Sequence, residues 1–303
     1  MHPAELAILL HRALEVRLAR LRELLDTPGW PREDEPLHQV RVAARRLGAA
    51  LDLVDAEVYP AHKGQRRALK RLVDTLGLPR ELDVQAGHLR EYHGQAATPA
   101  QAAVLEHLLE QVDRARAKVR RAMRKELDRL RLPGLDRLLE VAALQDPFQA
   151  TSLQEAAWAC LEARAETALA GLAALCAQED AAALHKARVR LKKLRYAVEA
   201  LEAAFAEPPA AILKELRGLQ TLLGEHHDLA TLEALLWKAE EGLRERGRAA
   251  LGAGVLDLLG SVAEARRAAF DAFVRAASGL DPLAFARAVR PALGLPPSEG
   301  WLP

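Results

Sequence analysis

Two short runs carry the side chains best suited to chemistry. Laid on a helix at about 100° per residue, His185, Arg188, Lys192, Arg195 and Tyr196 share one side, and Ala187, Leu191, Leu194, Val198 and Leu201 share the other. The apolar stripe predicts a helix with one buried face. The opposite stripe holds imidazole, guanidinium and ammonium groups at helical pitch, pointing away from their own core. His38, Arg41 and Arg45 repeat the pattern over Val40, Leu47, Leu51 and Val54, with Gly48 standing where the second run has Arg195. Guanidinium forks suit bidentate contact with phosphate oxygens, and Lys adds a mobile point charge. A neutral imidazole donates one hydrogen bond and a charged one donates two; phosphate nearby favours the charged form and Arg nearby opposes it. Charges strung along helices suit a long linear anion better than one small phosphate. Tyr196 is the only aromatic near the stripe, which counts against single-stranded nucleic acid and for a polyanion without bases. A solvated cationic face is the plain alternative. Against it, four basic residues meet only one acid, Asp52, between Leu37 and Val54.

These stripes need elements to position them, and the elements recur. His38 and His185 lie 147 residues apart, and the same offset carries Arg17 to Arg164, Arg67 to Lys214, Lys70 to Arg217, Gly77 to Gly224 and Arg120 to Arg267. A constant offset predicts an internal duplication, with one copy in residues 1–147 and the second, plus a tail, in 148–303. Length allows each copy its own core. Apolar periodicity and Pro/Gly punctuation predict helices over about 4–26, 37–58, 62–77, 80–92, 100–131 and 135–144. In the second half they fall over 153–177, 182–205, 210–223, 229–245, 255–277 and 283–293. No stretch alternates long enough to predict a strand. The expected fold is all-α: two tandem four-helix bundles related by pseudo-twofold symmetry.

Half of the 303 residues are apolar but only 4% are aromatic, so Ala and Leu, both good helix formers, carry the core. The net charge is +1, split as +3 over 1–147 and −2 over 148–303. A polyanion site must therefore come from local arrangement rather than bulk charge. Cys160 and Cys176 would stand about 24 Å apart on one helix, and the lack of a disulfide framework points to a reducing compartment. The apolar run Leu6 to Leu10 is too short for a signal peptide or membrane span. Both readings place the protein in the cytoplasm.

Other constellations are weaker. His226-His227-Asp228 reads as a corner with Asp228 capping a helix beside solvated His. Its rival readings are phosphate contact by His227 and a divalent metal site of the HD phosphohydrolase type. Glu199 falls on the cationic side, where it braces Arg195 or Lys192 rather than acting as a base. No Gly-rich phosphate loop and no sequence-local nucleophile–base pair stands out.

His-x-x-Arg-x-x-x-Arg-Arg-Leu from His38 and His-Lys-x-Arg-x-x-x-Lys-Lys-Leu-Arg-Tyr-x-x-Glu from His185 resemble the two halves of the CHAD family, the conserved-histidine α-helical domains. The Leu-Gly corners followed by Arg80 and Asp83, or by Asp228, are similar to corners of that family. The resemblance covers nearly the whole chain. It implies two helical bundles joined by a pseudo-twofold axis and non-catalytic binding of inorganic polyphosphate along a basic channel. By motif, the contacts it implies are His38, Arg41, Arg45, Arg46, His185, Arg188, Lys192, Lys193 and Arg195. The third-helix positions Arg67, Lys70, Lys214 and Arg217 join them, with Arg80, Tyr196 and the offset pair Arg120 and Arg267 completing the candidate set. Gly48 stands where family members frequently carry Arg, and Glu81 where Asp is usual. The chain has no Glu-x-Glu-x-Lys signature of a fused triphosphatase. No cofactor, metal, membrane or nucleic-acid partner is expected. Association with polyphosphate granules would follow from such binding, and a scaffold for an acidic protein partner is the remaining alternative.

Overall fold

The computed structural model describes residues 4–53, 63–130, 152–247 and 249–297. Among the described residues the regular elements are all helical. They are α1 (Ala4–Leu25), α2 (Asp34–Leu51), α3 (Lys63–Thr75), α4 (Gly77–Gly94), α5 (Pro99–Arg129) and α6 (Leu153–Leu169). α7 (Leu172–Ala177), α8 (Ala181–Ala200), α9 (Ala210–Glu245), α10 (Ala249–Ala277) and α11 (Pro282–Ala292) follow. The expected helix over 135–144 and the boundary at residue 147 lie outside the described residues, whereas the helix expected over 37–58 ends at Leu51, capped at Asp52. No helix among the described residues is long and apolar enough to cross a membrane.

The starts are set locally. Asp180 accepts hydrogen bonds from the backbone N–H groups of Ala182 and Ala183, which opens α8. Ser152 accepts from Glu155, Thr98 accepts from Gln101 ahead of Pro99, and Asp281 accepts from Ala284 ahead of Pro282. Each satisfies an orphan donor of the first turn, and Pro suits the first turn because it lacks a donor there.

Two expectations about the second half fail. The corner at Gly224-Glu225-His226-His227-Asp228 does not exist, because α9 runs unbroken through it. Pro79 explains the difference. In the first half its ring would clash with the carbonyl of Thr75, four residues earlier, so α3 stops at Thr75 and α4 restarts at Gly77. The residue 147 positions later is His226, which has an N–H to donate. Gly224 alone costs a helix only about 1 kcal/mol, and Leu216, Leu219, Leu223, Leu229, Leu232 and Leu236 hold the buried stripe across it. The helix expected over 153–177 breaks instead, at Ala170-Gly171. Cys160 and Cys176 therefore lie on different helices.

The apolar core does not divide by halves. One cluster draws on α1, α2, α3, α6, α8 and the first half of α9, closed by Phe273 of α10 and Phe285 of α11. The other draws on α4, α5, the second half of α9 and α10. α1 touches α6, α2 touches α8, α4 touches α9 and α5 touches α10, so each of these four first-half helices packs on the one that follows it at the 147-residue offset. Arg17 and Arg164 adopt the same local geometry: Arg17 Nη1 donates to Ala13 O at 3.0 Å and Arg164 Nη1 donates to Cys160 O at 2.8 Å.

Candidate functional site

α2 and α8 bury Leu37, Val40, Ala44, Leu47 and Leu184, Ala187, Leu191, Leu194. That choice of buried face turns His38, Arg41 and Arg45 of α2 and His185, Arg188 and Lys192 of α8 toward each other. α4 adds Arg80 and α9 adds His227. The convergence is read in the charges. Arg41 feels Arg45, Arg80 and Arg188, and Lys192 feels Arg188, Arg45, Arg41 and Arg195. His38 feels Arg80, Arg41 and Lys192.

The cost of this crowding falls on the protonated forms. Burial first, then four neighbouring cations, hold the Lys192 ammonium down at about 7. Burial and Arg45 lower Arg41 to about 10. Burial also lowers His38, helped by Arg80, and His185, helped by Arg188 and Lys192. His227 is lowered by burial, then by His185 and Arg188. Its Nδ1 stands 3.3 Å from Nδ1 of His185, a spacing that needs one nitrogen to donate and the other to accept.

Among the described residues no carboxylate lies within ion-pair distance of Arg41, Arg45, Arg80, Arg188 or Lys192. Glu81 and Asp228 act on the group only from farther off. The Nε atoms of Arg41 and Arg188, and Nδ1 of His38, are buried without a hydrogen-bond partner. Gly224 leaves room for the Arg188 guanidinium, since a Cβ built there would stand 3.4 Å from its Nε and Nη2.

Other candidates are placed differently. Arg46 pairs with Glu199 at 3.3 Å, and Arg195 pairs with the same carboxylate at 3.7 Å, so Glu199 braces cations as expected. Arg46 lines a groove of about 570 Å³ with His38, Arg17 and Glu202. Tyr196 is largely buried, with the Arg195 guanidinium over its ring. Lys193 is exposed and borders a cavity with Arg45 and Lys192. Lys70 borders the same cavity but pairs with Asp74 at 2.9 Å.

Arg120 is taken up elsewhere. It bonds both oxygens of buried Asp83 at 3.0 Å and also Asp34, while Arg116 bonds Asp83 at 2.8 Å. This network ties α5 to α2 and α4. Arg67, Lys214, Arg217 and Arg267 are exposed, and among the described residues no hydrogen bond, ion pair or shared cavity links them to the central group. On α9 the inner face is taken by Ile212, Leu213, Leu216 and Leu219, which turns Lys214 and Arg217 outward.

The sequence reading of Asp228 is corrected. It sits inside α9 and caps nothing. It faces His88 of α4 at 3.9 Å and raises that imidazole's pKa. His226 is not solvated: it is buried, with Nε2 2.8 Å from Glu179, which also meets Arg266 at 3.2 Å. Among the described residues no three His, Cys, Asp or Glu side chains group around one point. His227, a phosphate contact in one reading of the sequence, stands beside His185; His88 is a neighbour that the repeat could not reveal, because its counterpart 147 residues on is Leu235.

The described elements are all helical, and cations from α2, α4 and α8 converge among them. The chain belongs to the CHAD family: the CHAD domain matches residues 11–237. It resembles the crystal structure of the CHAD domain from the plant Ricinus communis, with a TM-score of 0.68 and 25% identity over 92% of this chain and 93% of that one. It shares the fold of PptA from Streptomyces chartreusis, with a TM-score of 0.65 and 21% identity over 88% of this chain and 97% of that one. It is 28% identical over 287 residues, 84% of this chain, to the uncharacterized protein Rv2226 of Mycobacterium tuberculosis. The chain spans about half the length of that curated relative, 54%.

Proposed function

We propose that this protein binds inorganic polyphosphate, without chemistry, along the cations of α2, α4 and α8. One observation carries the reading: Arg41, Arg45, Arg80, Arg188 and Lys192 crowd together with no carboxylate at ion-pair distance among the described residues, and burial, then neighbouring cations, lower Lys192 to about 7. Arrays of like charge with buried, unmade hydrogen bonds are costly to a fold, and an anion removes that cost. The row holds several donors at helical pitch, so a chain of phosphates matches it better than one phosphate ion. Family membership and the fold shared with CHAD structures support the same assignment. The recurring helix order, with Arg17 and Arg164 in the same local geometry, supports a duplicated origin of residues 1–147 and 148–303.

Arg41, Arg45, Arg80, Arg188 and Lys192 supply charge and forked hydrogen bonds; His38, His185 and His227 add donors that respond to pH. Calorimetric titration with polyphosphate tests the assignment. Charge reversal at Arg188 or Lys192 is expected to weaken binding about a hundredfold or more, in the range of buried charge contacts. The same change at exposed Arg129, paired with Glu126 at 3.8 Å, is expected to leave it within about twofold. Equal losses at both places would remove the reading.

A further inference from the structure

A cavity of about 360 Å³ opens between α2, α3 and α8 beside the cationic row. Its wall is mainly apolar, formed by Ala49, Leu69, Val73, Val189 and Tyr196. Its rim carries Arg45, Lys192 and Lys193, none of which has a carboxylate partner among the described residues. The other charged groups on the wall are already engaged: Lys70 with Asp74, and Arg66 with Asp52 at 3.5 Å. Val189 is 39% exposed, an apolar surface set directly between Arg188 and Arg190. Gly48 faces the same space, and a Cβ built there meets no atom within 4 Å.

Inorganic polyphosphate uses only the rim. It has nothing to offer the apolar wall, and water held against such a wall is released favourably when an apolar group takes its place. The volume lies in the range of small-molecule sites, which pair an apolar lining with a few convergent polar groups.

We propose that this cavity is a second ligand site, for small organic phosphate esters. The phosphate lies on Arg45, Lys192 and Lys193, and a compact aryl or branched-alkyl body fills the space over Gly48 between Leu69, Val73 and Val189. The site goes beyond the polyphosphate reading and does not need it, although both use Arg45 and Lys192. The two ligands therefore compete.

The test is a fluorescence titration of the full chain with 1-naphthyl phosphate, set beside inorganic phosphate, 1-naphthol and tripolyphosphate. The expected result is that the ester binds at least about tenfold more tightly than either inorganic phosphate or naphthol. Gly48→Leu grows a side chain into open space and favours the helix, so it fills the cavity without disturbing the fold. It is expected to weaken the ester about tenfold or more while tripolyphosphate stays within about twofold. Val73→Trp, filling the space from α3, gives the same outcome from the other wall. An ester no tighter than inorganic phosphate overturns the proposal, as does an ester indifferent to both filling variants. Ester binding with no tripolyphosphate binding would leave this site standing and remove the polyphosphate reading alone.

Discussion

Lys192 concentrates the physics of the site in one side chain. Its folded-state pKa of about 7 lies well below the ordinary Lys value, so the unfolded chain holds that proton across the range where the folded chain has lost it. The sign follows from linkage: stability rises with pH from about 7 to the ordinary Lys value, and the penalty is fully present below 7. Lys192→Met keeps the stem and removes the charge. The variant is expected to melt at a higher temperature than the parent at pH 6 in the absence of ligand, and to bind tripolyphosphate about tenfold or more weakly. A thermal melt and a titration check the two halves of that trade. The same logic gives the pH dependence of binding. His38, His185 and His227 are all lowered by burial and neighbouring cations, so the empty site is short of protons near neutrality. A polyanion reverses the balance and draws protons in. Affinity is expected to rise as pH falls from about 8.5 to 6, with proton uptake visible as a binding enthalpy that changes with the buffer. Release of protons on binding would contradict the site as described.

At the scale of helices, one interrupted segment and one continuous one decide what the row can reach. α3 and α4 meet at a break enforced by Pro79, and α9 passes the equivalent point intact, carrying Gly224 under Arg188. A methyl group at 224 would touch the guanidinium at 3.4 Å, ordinary contact distance, but any branch beyond it would collide. Gly224→Ala is therefore expected to retain polyphosphate affinity and gain about 1 kcal/mol from helix propensity. Gly224→Leu is expected to displace Arg188 and lose most of the affinity. Gly77→Leu, at a position with no atom within 4 Å of a built Cβ, should bind as the parent does. Chemical denaturation and calorimetry separate the three. These helices also show what the chain reveals by itself. The stripes of α2 and α8 were legible because an apolar residue every three or four positions fixes which side is buried, and the cations then face the other way. The corner at 224–228 was misread because a Gly followed by polar residues looks like a break, whereas Pro79 is what makes one. Arg120 was misassigned because its partners, Asp34 and Asp83, belong to other helices, and no spacing along α5 announces them.

The molecule as a whole is almost neutral, at +1, and this sharpens what ionic strength should do. A globally basic protein would draw a polyanion from a distance, and salt would weaken that attraction whatever residue was changed. Here opposite charges balance over the surface: Arg114 with Glu110, Arg90 with Asp113 and Arg266 with Glu233 are paired. Among the described residues, Arg41, Arg45, Arg80, Arg188 and Lys192 of the central group crowd one another with no carboxylate at ion-pair distance. Two apolar clusters, each drawn from both halves, hold that group together, so the array is a property of the assembled fold rather than of either half. On the proposed reading, salt sensitivity arises locally, from the counterions a polyphosphate chain would shed on meeting these side chains. With about five cations engaged, and with the behaviour of single-stranded phosphate chains as the guide, the logarithm of affinity should fall against the logarithm of salt concentration with a slope of about −3.5. Lys192→Met should make that slope shallower by about 0.7, one contact fewer, and charge removal at exposed Arg129 should leave it unchanged. A slope near zero, or one that responds equally to both variants, would mean that the ligand rests on the balanced outer surface and not on the row between α2 and α8.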